Sequence, residues 1–209
     1  MFVAMSDFSK QLSKYMPEAA APIISQWIND TCCRFKVTRS RKTKLGDYRS
    51  PFKGNPHQIT VNHDLNPYSF LITSIHEFAH LKTYLKHKNT VKPHGQEWKE
   101  NFVILLKPFI KLSIFPNDIL LAISRYMDNP TASSCTDLNL YRVLKKYDNK
   151  VDAGVVVEDL PQDAIFTLKN GRKFKKMEKA RKRYKCIEIT TKKVYLFHPI
   201  AEVFPIEDK

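Results

Sequence analysis

The 209-residue chain has only five glycines, and its twelve prolines are no enrichment. That excludes collagen-like and low-complexity linker compositions. With 43% hydrophobic residues it reads as globular rather than disordered. Cysteine is scarce: Cys32, Cys33, Cys135 and Cys186 are the whole set, and no two form a C-x-x-C pair. Adjacent cysteines rarely bond each other without strain, so no disulfide framework is expected and a reducing compartment is favoured. No run is long and apolar enough to predict a transmembrane helix. No basic segment followed by an apolar stretch opens the chain, so no secretory signal is expected. These absences predict a cytoplasmic protein (nucleoid-associated or nuclear in a eukaryote) with no membrane partner.

Acidic residues are also short. There are 21 against 35 lysines and arginines, which leaves a net charge of +14. A chain this basic usually meets a polyanion. The plainer alternative is a solvated basic surface.

What is present centres on Ser74-Ile-His-Glu-Phe-Ala-His80, which contains H-E-x-x-H. Residues four apart share one helix face, so His76 and His80 can turn their rings to a single zinc ion. Glu77, beside the first histidine, can take a proton from a zinc-activated water without being a ligand. Asn66-Pro67 is a helix start, with Asn66 as N-cap and Pro67 at the first helical position. Residues 68–85 follow without glycine or proline, mostly apolar. Lys86, His87 and Lys88 then suit a helix C-terminus.

A catalytic zinc takes three protein ligands and keeps one position open. Thr83 and Lys86 stand where the metzincin pattern needs glycine and histidine, which excludes that class. His87 lies about 10 Å along the helix from His80, too far for one ion. His94, in Pro93-His-Gly-Gln-Glu-Trp98, can fold back onto the first helix, and Glu97 and Glu100 are the alternatives. His94 is favoured, since imidazole suits zinc and Gly95 frees the adjacent backbone.

Around this helix the pattern predicts an α+β protein. Helices are expected at 5–15, 18–29, 94–112, 116–127 and 137–147. Strands are expected over 34–42, near Asp47, and over 58–62. Arg34, Lys36, Arg39, Arg41, Lys42 and Lys44 crowd the first strand, either as a phosphate-contacting edge or as a charged edge that discourages aggregation. Three domains are expected: 1–128 around the motif, a helical linker over 129–160, and a basic β-ribbon-like module over 161–209. In the last, Asn170-Gly171 is a hairpin signal. Residues 172–185 hold nine basic residues and one acidic: Arg172, Lys173, Lys175, Lys176, Lys179, Arg181, Lys182, Arg183 and Lys185 against Glu178. They are the candidate nucleic-acid contacts, with Phe174 and Tyr184 available to stack on bases.

H-E-F-A-H followed by H-G-Q-E-W resembles the SprT-like (Spartan) metalloprotease family over roughly residues 20–110. The resemblance implies a zincin-like core, a small sheet packed on the H-E-x-x-H helix. It implies His76, His80 and His94 as ligands of one catalytic Zn2+, Glu77 as the catalytic glutamate, and Trp98 as the aromatic that packs the second helix. It also implies DNA as a sequence-independent, possibly single-stranded partner, and proteins bound or crosslinked to it as substrates. Relatives often end in a zinc ribbon with two cysteine pairs. Here only Cys186 remains, with His198 nearby in sequence, so no second zinc is expected. The rival reading is a DNA-binding protein whose zinc is structural and which has no relevant proteolysis.

Overall fold

The computed structural model describes residues 6–41, 43–128, 130, 137–148 and 154–206. The chain divides into two units, Met1–Asp148 and Asn149–Lys209. The first mixes helices with a small sheet, in the order α1 (Ser9–Leu12), α2 (Ala21–Thr31), β1 (Arg34–Thr38), β2 (Gly46–Arg49), β3 (Gln58–Asn62), α3 (Pro67–His87), α4 (Gln96–Lys111), α5 (Asn117–Asp128) and α6 (Leu138–Lys145). The protein is therefore α+β.

β3 is the middle strand, with β1 parallel on one side and β2 antiparallel on the other. β2 is thus an edge, and it lies against α3. α3 is buried along most of its length because it is covered on several sides. Phe78 stacks on Phe35 of β1 and meets the edge of Trp27 of α2, and Trp98 and Phe102 of α4 are fully buried. Asn66 caps α3 by accepting hydrogen bonds from the Tyr68 and Ser69 amides. Its own amide donates to the Leu144 carbonyl and to Asp148, which ties α6 to the start of α3.

Two elements are shorter than expected. α1 spans four residues rather than 5–15. So short a helix is marginal alone, and it is held by bonds to α2: the Phe8 amide donates to Ser25 and the Asn29 side chain to the Ser6 carbonyl. β1 ends at Thr38, and beyond it Arg41 turns inward to bond Thr60 and Asn62. The stretch 129–160 divides between the units. Leu140 and Leu144 of α6 join the first core, whereas Val157 and Leu160 join the second.

The second unit is a six-stranded antiparallel sheet built from β4 (Val155–Val156), β5 (Ile165–Thr167), β6 (Lys173–Ala180), β7 (Arg183–Glu188), β8 (Val194–Phe197) and β9 (Glu202–Pro205), in the order β4-β9-β5-β6-β7-β8. It has its own core of Val157, Leu160, Phe166, Phe174, Cys186 and Val203. The basic run forms β6, the turn at Arg181 and Lys182, and the start of β7. No helix among the described residues is long and apolar enough to cross a membrane.

Candidate metal centre

His76 and His80 stand one turn apart on α3, and His94 ends the loop that leads into α4. The Nε2 of His76 lies 3.1 Å from that of His80 and 3.2 Å from that of His94. One ligand atom from each histidine falls within 4.8 Å of the others. Glu97 and Glu100 do not join this group, and Glu100 instead accepts a bond from Gln96 on the exposed side of α4.

The donor set fits a metal ion. Burial, reinforced by the neighbouring rings, holds His76 well below the ordinary histidine range. Burial, with His94 adding to it, pushes His80 down to about 4. Burial alone lowers His94. All three rings are therefore neutral near pH 7. Three neutral rings cannot satisfy one another through nitrogens that converge on one point, because each ring carries a single N–H. A cation between them resolves this. Two nitrogens bound to a tetrahedral zinc at about 2.0–2.1 Å lie about 3.4 Å apart, close to what is seen.

Packing holds the rings. The Trp98 ring centroid is 4.6 Å from His76, 5.4 Å from His80 and 4.8 Å from His94. The Trp98 indole N–H donates to the His76 carbonyl. Asn101 of α4 donates to the Thr83 hydroxyl of α3, a buried bond that fixes one helix against the other. The loop between them begins and ends under strain. Lys88 has φ 53° with ψ −130°, and His94 has φ 59°. Such backbone states cost a residue with a side chain about 1–3 kcal/mol and persist where the surroundings enforce them.

Glu77 is buried on the side of α3 that faces β2. The backbone of Gly46 comes so close that a Cβ there would overlap the Glu77 carboxylate and the Thr73 methyl. Burial, together with the Asp47 carboxylate, raises Glu77 to about 8. Arg41, the Tyr48 backbone N–H and Lys44 pull it the other way. Lys44 and Arg49 hold Asp47 at 2.8 Å and 2.9 Å. Of the residues the sequence offers as phosphate contacts, Arg41 is engaged inside the fold and Lys44 is exposed but paired with Asp47. Arg34, Lys36 and Arg39 remain exposed, and Lys42 lies outside the described residues.

Comparison with family models, with curated proteins and with solved structures returns no match.

Several residues at the centre carry no signal in the sequence. Gly46 is one. Tyr48 is another: its ring runs parallel to that of His80, 6.4 Å away, and its hydroxyl bonds His57 Nδ1 at 2.9 Å. His57, isolated in sequence, also meets the ring edge of Tyr84. No local pattern links β2 to a motif some thirty positions on. Of the tyrosines on α3, Tyr84 lines the cleft beside the histidines, whereas Tyr68 packs on Tyr147 and Phe115. His63 is exposed beside Asp64.

The nine basic residues of the C-terminal run are not equivalent. Lys176 is buried, and its ammonium donates to the carbonyls of Glu158 and Leu160 under the Tyr184 ring, which leaves no face for a phosphate. Burial lowers its pKa. Arg172 pairs with Glu188 at 2.7 Å and packs over Phe174 and Tyr195. Lys175 pairs with Asp163 and Lys185 with Glu178, both at the surface. Lys173, Lys179, Arg181, Lys182 and Arg183 are exposed. Phe174 is in the core, stacked on Phe166, and Tyr184 is half-buried beneath Lys176 and Lys179, so neither offers a free ring to a base. Cys186 sits in the same core, its thiol raised to about 11 by burial.

Proposed function

We propose that the chain is a zinc-dependent peptidase of SprT-like type, with a zincin-like core, acting on proteins bound or crosslinked to DNA. The observation that carries this reading is the convergence of three neutral imidazole nitrogens beside a buried carboxylate that is not among them. Three nitrogen donors suit zinc and leave one position open, as catalytic rather than structural sites do. Zinc held by His76, His80 and His94 would supply Lewis acidity, polarising a peptide carbonyl and easing loss of a proton from water.

The protein's own groups do the rest. The Glu77 carboxylate accepts the proton of the attacking water and returns it to the leaving amine. Gly46 leaves room for the carboxylate under β2. The free edge of β2 takes the substrate backbone as an added strand. The exposed basic residues Lys173, Lys175, Lys179, Arg181, Lys182 and Arg183 supply phosphate contacts, a sequence-independent attraction to DNA.

The test is cleavage of a DNA-bound protein, and self-cleavage, by wild type and Glu77→Gln with and without single-stranded DNA, with zinc content measured in both. DNA-stimulated cleavage that disappears in a variant still holding zinc is expected. Full zinc occupancy and DNA binding with no cleavage by wild type would instead make this a DNA-binding protein with a structural metal.

A further inference from the structure

Beside the histidines a cleft of about 340 Å³ opens between the end of β2 and the loop that joins α3 to α4. His80, His94, Tyr48 and Tyr84 line it, together with the exposed Lys88 and Lys92. No carboxylate among the described residues lines it. Neither lysine is paired with an acidic group among the described residues, and Lys88 instead lies over the Tyr84 ring at 5.2 Å. His57, behind Tyr48, is kept neutral by burial and by the nearby Lys88 charge. The charged side chains that line the cleft, Lys88 and Lys92, are therefore both cationic.

The backbone adds an independent observation. Lys88 occupies φ 53°, ψ −130°, a conformation that glycine would adopt at little cost. A long cationic side chain that lines the cleft stands there instead.

We infer that this cleft binds an acidic side chain of the peptide substrate, with Lys88 and Lys92 as the residues that set the preference. The inference rests on the peptidase reading. Its volume is at the low end of small-ligand sites, about 300–1,000 Å³, which suits one or two side chains rather than a length of nucleic acid. Both lysines are solvent-exposed, so the preference is modest. Two such pairs together give a factor of about 3 to 10 at low ionic strength, and less as salt rises.

The experiment uses the zinc-loaded full chain carrying Glu77→Gln. Fluorescence anisotropy measures its binding of labelled Gly/Ser/Ala peptides that carry a single Asp, Asn or Lys. The Asp peptide is expected to bind about 3- to 10-fold more tightly than the Lys peptide. Lys88→Glu with Lys92→Glu should reverse that order with zinc content unchanged. Equal affinities, no binding by any peptide, or an order unaffected by the reversal would each overturn the inference. So would displacement of the Asp peptide by single-stranded DNA, since the lysines would then serve phosphates. Wild-type cleavage is followed in parallel. An acidic preference in binding without any cleavage would sink the peptidase reading and keep the cleft. Cleavage without a charge preference would do the opposite.

Discussion

Gly46 lacks a side chain where Glu77 fills the space that one would need. The two are far apart in sequence, and nothing near Gly46 marks it as different from any turn glycine. Its importance is one of clearance, since a single added methyl would press on the carboxylate and on Thr73. Gly46→Ala is expected to cost about 1–3 kcal/mol as an overpacked site. It should also lower turnover while zinc is retained, because it displaces Glu77 and leaves the histidines alone. Zinc stoichiometry, a denaturation curve and a cleavage assay on one preparation decide it. An alanine variant as stable and active as wild type would show that β2 can move away freely. The histidines are the opposite case. The four-residue spacing of His76 and His80 places them on one helix face wherever that helix packs. His94 was one of three candidate third ligands in the sequence, and it joins the group, from a left-handed backbone position with φ 59°, while Glu97 and Glu100 stay out.

At the scale of elements, α3 is well marked by its own residues. The Asn66-Pro67 start and the cations at its end bound a helix observed over Pro67–His87. What the cap residue also does is not local. Asn66 bonds the Leu144 carbonyl and Asp148 across the fold. Asn66→Ala should therefore cost more than an ordinary cap, about 1–3 kcal/mol, by urea denaturation, because the bonds to Asp148 and to the Leu144 carbonyl are lost together with the cap. Asn66→Asp keeps the acceptor for the helix amides but loses the donor, so it should recover only part of the loss. If Asn66→Asp restores full stability, the tie to α6 contributes nothing.

The β6–β7 hairpin makes a pH prediction. The Arg172 guanidinium, then the Thr191 hydroxyl, hold the Glu188 carboxyl down to about 2, below the usual value of about 4.3 for an unfolded chain. A depressed carboxylate binds fewer protons folded than unfolded. Its stabilisation is thus present above about pH 4.3 and fades as pH falls towards 2. Protection of the β6 and β7 amides, taken relative to their intrinsic exchange rates at each pH, should fall across that window in wild type. It should be nearly flat there in Glu188→Gln, which starts less protected. Parallel profiles for the two proteins would discard the pairing as a source of stability.

For the whole molecule, the net charge of +14 does not say which cations are free to meet a partner. Nine basic residues in fourteen look interchangeable in sequence. Strand alternation turns Lys176 into the core, where backbone carbonyls hold it, while Lys173 and Arg183 face solvent. Lys173→Gln with Lys182→Gln is expected to lower the slope of log binding constant against log salt by about 1–2 on DNA. Lys176→Met should leave that slope unchanged in folded protein. Equal effects of the two variants would mean that binding follows total charge rather than this surface.

The sequence by itself determined what short-range periodicity and residue chemistry can carry. The helix that presents His76 and His80, its capped start, the α+β character and the Asn170-Gly171 hairpin were all legible within a few residues of chain. Tertiary structure decided what depends on approach between distant segments. That includes the space Gly46 leaves for Glu77, the Tyr48–His57 contact beside His80, the inward turn of Arg41 and the burial of Lys176 and Phe174. The physical reason is the same each time. Backbone periodicity fixes which way a side chain points from its own element, but whether it meets solvent, a carboxylate or a carbonyl depends on which other element is packed there.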